Sequence, residues 1–361
     1  MLALRLVRGT HPAVQLRRLL VAAAAAGVGF LLLCALGYAV GHPARSGDSV
    51  LRLLWCVAPL AATVQFAVAV ARTDPSTRPR PGLSAIGLGP ARLTAIAATS
   101  TAVACTLGSA LALLFYLHLR GDITGLPFDG AAAGLLAADQ PVPLAAALTL
   151  LAVPPVAAAT AAGLSLRPRT APAARPSPTA ALPWGVSLLA VGLAVETYAA
   201  RGSGSGVLTG WFVSAVGLAL MGPGLTHGCG RLLQTLRPGA VRLLAGRVLM
   251  DESRRLGRPL GVAAAVGSAA IAAVARYGGA ALGPLTWLGA AVVVGCTTAT
   301  LLTAALESKQ SRTHTTEALL RMGAPPTVLR TTALLRAGAL LAVFVPLTCA
   351  VGVLAAIPLQ G

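Results

Sequence analysis

An all-α, polytopic membrane protein with about nine spanning helices is the fold class this sequence predicts, and three observations carry that reading. Charged residues make up 11% of the 361 positions and hydrophobic ones 56%, whereas a soluble domain carries about 25% charged residues. Too little polar surface is available to face water on every side. Apolar runs of roughly 20 residues, the length that crosses a bilayer as a helix, recur along the whole chain. The 28 Lys and Arg residues, finally, gather on alternate loops.

The runs are 19–41, 51–71, 93–118, 143–165, 184–200, 206–229, 259–277, 284–306 and 333–358. Only "RGSGSG" parts the fifth from the sixth, so 184–229 reads as one span or two. With the N-terminus in the cytoplasm, segments 1–18, 72–92, 166–183, 231–258 and 307–337 hold 23 of the 28 basic residues. Arg45, Arg52, Arg120, Arg201 and Arg276 stay outside. This is the positive-inside bias of helical membrane proteins. The net charge of +18 thus records topology and an attraction to anionic lipid. It does not indicate nucleic acid, since no basic soluble domain with interleaved aromatics is present. An odd number of spans leaves the C-terminus outside. The first run exceeds a secretory h-region and lacks a small-residue cleavage site, so it reads as a signal anchor. Arginine in place of lysine, with much alanine and glycine, suggests a GC-rich bacterial genome and hence a bacterial inner (plasma) membrane.

Two stretches of the first half return in the second, one at an offset of about 240 residues and one at about 235. "LALRLVRGTHPAVQLRRLLVAA", ahead of the first span, has a counterpart in "LLAGRVLMDESRRLGRPLGVAA", ahead of the seventh. Both are basic with apolar residues at helical spacing, such as Val241, Leu244, Ala245 and Val248, which predicts a helix lying in the headgroup plane. "SAIGLGPARLTAI" (84–96) likewise parallels "ALLRMGAPPTVLRTT" (318–332), with Gly89 opposite Gly323 and Leu93 opposite Leu329. The pattern is one of tandem halves, a common plan among transporters. The expected division is a first module at 1–165 with a polar segment at 78–92, then a Pro/Ala-rich linker with connecting spans at 166–230. A second module at 231–361 follows, with an interfacial helix 238–257, the last three spans and a polar segment at 307–330. Pro154 and Pro155 predict a kink or break in the fourth span.

The basic leading helix, the span after it and the later "E…R…EALLRMGA…LR" ahead of a long span resemble the FtsX-like (MacB-type) permeases of ABC transporters. The large actinobacterial two-module members resemble it most. The matching stretches are 241–258, 307–336 and, more weakly, 1–18 and 78–96, about a quarter of the chain. The resemblance implies a membrane subunit that docks a separate cytoplasmic ATPase dimer through short coupling helices, one after the second span of each module. Carried onto this sequence, Glu307, Lys309, Arg312, Glu317, Leu319, Leu320, Arg321, Met322 and Gly323 form the second coupling element. Leu83, Ile86, Leu88, Gly89 and Arg92 form the first. Two such elements would let one chain serve both copies of the ATPase. Independently of the resemblance, a polar helix with one apolar edge suits insertion into a groove of a soluble partner, and Gly323 before Ala-Pro-Pro suits the end of a helix. Two departures stand out. The large extracytoplasmic domain of many family members is replaced by the short "GHPARSGDSV", and one span rather than two follows the second coupling element.

The chain carries no Walker A lysine: its only lysine, Lys309, precedes Gln310, so it is not expected to be an enzyme, and ATP and magnesium would belong to the partner. Five scattered histidines and six cysteines without CxxC spacing give no metal-ligand pattern, and no nucleophile elbow is present. Glu196 is the one carboxylate inside an expected span; it is either functional or reaches to the outer interface, with Arg201 as partner. The expected function is ATP-driven export or extraction of a lipophilic or amphipathic substrate. The alternatives are a non-transporting ATP-driven signal transmitter and an ion- or proton-coupled secondary transporter.

Overall fold

The computed structural model describes residues 12–74, 90–123, 125, 127–134, 136–167, 177, 179–200, 204–235, 239–277, 283–313, 317, 321–323 and 325–357. Among these, the long helices are α1 (Pro12–Gly41), α2 (Ser46–Thr73), α3 (Pro90–Arg120), α4 (Leu144–Leu166), α5 (Leu182–Ala199), α6 (Gly204–Thr235), α7 (Ala240–Tyr277), α8 (Pro284–Ser311) and α9 (Pro326–Ala356). All nine are long and apolar enough to cross a membrane, and the described residues include no strand. The protein is a polytopic helical membrane protein. The span 184–229 resolves as two helices, α5 and α6.

The apolar runs become helices because hydrocarbon offers the backbone no alternative hydrogen-bond partner. Their exposed large side chains, such as Leu107, Phe115, Leu148 and Leu341, suit contact with lipid. Of the six cysteines, five are buried and Cys349 is exposed, all of them unpaired by disulfides.

Three helices depart from the expected outlines. The basic stretch 238–257 is no separate interfacial helix: α7 runs unbroken from Ala240 to Tyr277 with Pro259 inside it, about 57 Å at 1.5 Å per residue. Its N-terminal half is a packed element, for Ala245 and Leu249 are fully buried. Helix α8 likewise continues past the expected end of its span at 306 to Ser311. And α4 passes through Pro154 and Pro155 without a break.

The chain forms two compact units. The first comprises residues 1–171 and 283–296, the second 172–282 and 297–361. Helices α5 and α6 therefore belong with the second unit, and α8 contributes its first half to one unit and its second half to the other. In the first unit, Leu33, Tyr116 and Leu151 form a core between α1, α3 and α4. Phe30 meets the Tyr116 ring edge-on, with centroids 6.3 Å apart. Beside it, Val28, Leu31 and Cys56 pack with Leu285, Leu288 and Val292 of α8. The second unit uses smaller residues. Leu218, Ala265 and Val351 meet in one cluster, and Ala272, Ala355 and Ala356 in another. Its backbones come close: a Cβ at Gly222 of α6 would collide with the carbonyl of Gly257 on α7. Glycines of this kind let membrane helices approach. In α8, a Cβ at Gly289 would lie 3.0 Å from the Trp55 ring nitrogen, whereas one at Gly283 or Gly295 would meet open space.

The connection from α3 to α4 folds back on the first unit. Arg120, with only 6% of its surface exposed, donates to the Ala138 and Gln140 carbonyls. It also lies 3.2 Å from the Asp122 carboxylate. The Tyr116 hydroxyl donates to the Leu136 carbonyl.

Candidate functional site

The polar stretch between α8 and α9 is anchored at its base and exposed at its tip. Glu307 is half-buried and Lys309 exposed in the last turns of α8. Arg312 turns back to α7, where its guanidinium donates through Nε and an Nη to the two carboxylate oxygens of Glu252. Ser308 joins them: its hydroxyl donates to Glu252 Oε1 at 2.9 Å and accepts from Arg312 at 2.6 Å. Arg336 of α9 completes the cluster, 3.3 Å from Glu252 Oε2. Glu252 thus faces two guanidiniums and a hydroxyl while only 7% exposed. A bidentate arginine with a second cation behind it is the arrangement that lets a carboxylate stay in a site of low exposure.

Beyond that base the expected docking residues are open. The Glu317 and Arg321 side chains are 52% and 83% exposed and 4.0 Å apart, one helical turn from each other. Met322 is 75% exposed, and Gly323 has φ +88°, a left-handed conformation that a side chain would strain. Leu319 and Leu320 lie outside the described residues. So do Leu83, Ile86, Leu88 and Gly89 of the first expected element, of which only Arg92, exposed in the first turn of α3, is described. The structure therefore brings together one predicted residue, Arg312, with three that the sequence did not single out: Glu252, Ser308 and Arg336. The signal for Glu252 was there to read, because Asp251 and Glu252 are the only acids in the basic stretch 231–258.

The first unit also ties its leading helix to the end of the next by an ion pair. Arg18 of α1 donates to Asp74, just past α2, at 2.5 Å, and Arg17 donates to Thr73. Partners 18 and 74 are 56 residues apart, as are 252 and 308. The step from 18 to 252 and from 74 to 308 is the same, 234 residues, and Gly89 to Gly323 repeats it.

No protein-family model, curated protein or solved structure matches the chain.

Glu196 occupies a second polar position, within the second unit. It is 1% exposed between α5 and α6, and Ser214 donates to its Oε1 at 3.1 Å. Its Oε2 is buried without a hydrogen-bond partner among the described residues. Arg201, the partner the sequence suggested, lies outside those residues. Gly210 makes room for it, since a Cβ there would lie 2.6 Å from Glu196 Cγ. Among the described residues, no group of three or more His, Cys, Asp or Glu is placed to hold a metal ion.

Proposed function

We propose that the chain is the membrane-spanning subunit of an ABC transporter of the FtsX-like type, seated in a bacterial inner membrane with its N-terminus in the cytoplasm. A separate ATPase dimer supplies ATP hydrolysis, and one chain, with a coupling segment in each half, engages both copies. The observation that most supports this reading is the segment from 307 to 325. Its exposed Glu317, Arg321 and Met322 stand between two helices long enough to span a membrane, on a base tied to α7 through Arg312. An exposed tip with mixed charge and an apolar methionine suits groove docking with electrostatic register. The loop after α3 folds back on its own unit, so the proposed substrate is lipophilic or amphipathic and comes from the bilayer.

The test is co-purification with a cytoplasmic ATPase, followed by ATPase assays in lipid as lipophilic compounds are added. Glu317→Lys with Arg321→Glu is expected to break the complex, and an intact complex would sink the docking assignment. The burial of Glu196 favours a second reading, ion- or proton-coupled transport. It predicts gradient-driven uptake into liposomes that Glu196→Gln abolishes without any ATPase present.

A further inference from the structure

We infer that Glu252 is the positioning residue of the second coupling segment: it binds the N-terminal halves of α7 and α9 and the C-terminal end of α8 into one body, so that the segment between α8 and α9 cannot move without them. The functional meaning of that movement rests on the reading just given; the mechanical statement does not.

The geometry has three parts. Glu252 lies on α7, and its carboxylate takes hydrogen bonds from Ser308 and from Arg312 at the C-terminal end of α8. It takes another from Arg336 on α9. The segment follows α8 from Arg312 onward, has helical conformation at Thr313, Glu317 and Arg321, and leads into α9 at Pro326. The first root is held at Arg312 itself, and the second leads after about three helical turns of α9 to Arg336, whose side chain reaches the same carboxylate. A tip pushed by a docked partner would load Glu252 through Arg312 and pass the load to α7 and α9, rather than bend the segment by itself.

The pairing in the first unit strengthens the case. Arg18 and Asp74 stand at the positions that the 234-residue step assigns to Glu252 and Ser308. There the base lies on the leading helix and the acid on the end of the next. In the second unit the acid lies on the leading helix and the base, Arg312, sits four residues past the equivalent position. The residue types have exchanged sides while the link has stayed. Packing alone would keep apolar residues at this point; an ionic link that survives reversal indicates that the connection itself is what the position supplies. Asp74 stands four residues before the first expected coupling segment, and Ser308 and Arg312 lie in the opening turns of the second.

The experiment uses the full chain in liposomes of phosphatidylethanolamine and phosphatidylglycerol, with trypsin added from the side where it reaches Lys309, Arg312 and Arg321. Glu252→Gln is expected to raise cleavage at Arg321 about tenfold, as expected for a segment released into local opening, while cleavage at Arg231 stays unchanged. Glu252→Asp, which keeps the charge, is expected to restore most of the protection, an outcome that filling space with Gln would not give. Glu252→Gln combined with Arg336→Gln is expected to do no more than the stronger single change, because both act through one cluster. Unchanged cleavage in Glu252→Gln, or fully additive effects in the double variant, would overturn the proposal. None of these readouts involves an ATPase, so they can succeed where the docking reading fails. With a co-purifying ATPase in hand, Glu252→Gln is expected to keep binding and lose at least about fivefold of the lipid-dependent stimulation of turnover.

Discussion

The two units solve the same problem with different materials. In the first, Leu33, Phe30, Tyr116 and Leu151 fill the space between α1, α3 and α4, and the Arg18–Asp74 ion pair helps close one end. In the second, alanine and glycine line the helix contacts, and the corresponding end is held by Glu252, Ser308, Arg312 and Arg336. Inside a membrane, apolar residues gain little from leaving lipid for protein, so association rests on close contact and on the few polar bonds available. A core of large side chains spreads that contact over many atoms. A core of small ones brings backbones together but depends more on each polar bond, which is where the second unit places its four-residue cluster.

Charge reversal at the centre of the larger cluster is the harshest way to break this contrast. Glu252→Lys leaves two partly buried arginines facing a third cation, and should cost about 3–5 kcal/mol. Thermal unfolding in detergent, with loss of a monodisperse species, would read it. Next come the glycines at the close approaches. Gly222→Ala would drive a Cβ into the Gly257 carbonyl, and Gly108→Ala into that of Ala22; each is expected to destabilise by about 1–3 kcal/mol despite the gain in helix propensity. Equal effects would show that the first unit also depends on one such contact despite its bulkier core. A smaller effect is expected from Asp74→Asn, about 1 kcal/mol, because the Arg18 side chain is 40% exposed and can turn to water. If it costs as much as Glu252→Lys, the contrast between a half-exposed pair and a shielded cluster fails. Least of all, Glu317→Lys should change stability by no more than about 0.5 kcal/mol, since its pairing with Arg321 is solvated. Any consequence should be confined to partner binding.

Helix number and approximate placement were legible because hydropathy alone forces them. Runs such as 93–118 or 333–358 have one way to satisfy their backbones in hydrocarbon, and α3 and α9 lie over them. What misled was local composition. The stretch 238–257 carries Arg242, Arg247, Arg254 and Arg255 and reads as a helix lying at an interface. Yet its other face, Ala245 and Leu249, is buried, and helical hydrogen bonding continues past Pro259. Glu196 was open to two readings from its place near the end of a span, a functional carboxylate or one turned outward; its side chain is buried between α5 and α6, where Gly210 leaves room for it. Gly210 and Glu196 are 14 residues apart in a chain with 40 glycines, and nothing local pairs them.

The sequence by itself determined the solvent, the helices and the polar segment between 307 and 325, because transfer from water to hydrocarbon is a property of each stretch taken alone. Only the tertiary structure decided that Glu252, among ten carboxylates, is the one that meets Arg312 and Arg336, and that Arg18 and Asp74 answer it in the other unit. An ion pair in a site of low exposure depends on which helices stand side by side and at what height. That arrangement is set by the small residues that let the backbones meet.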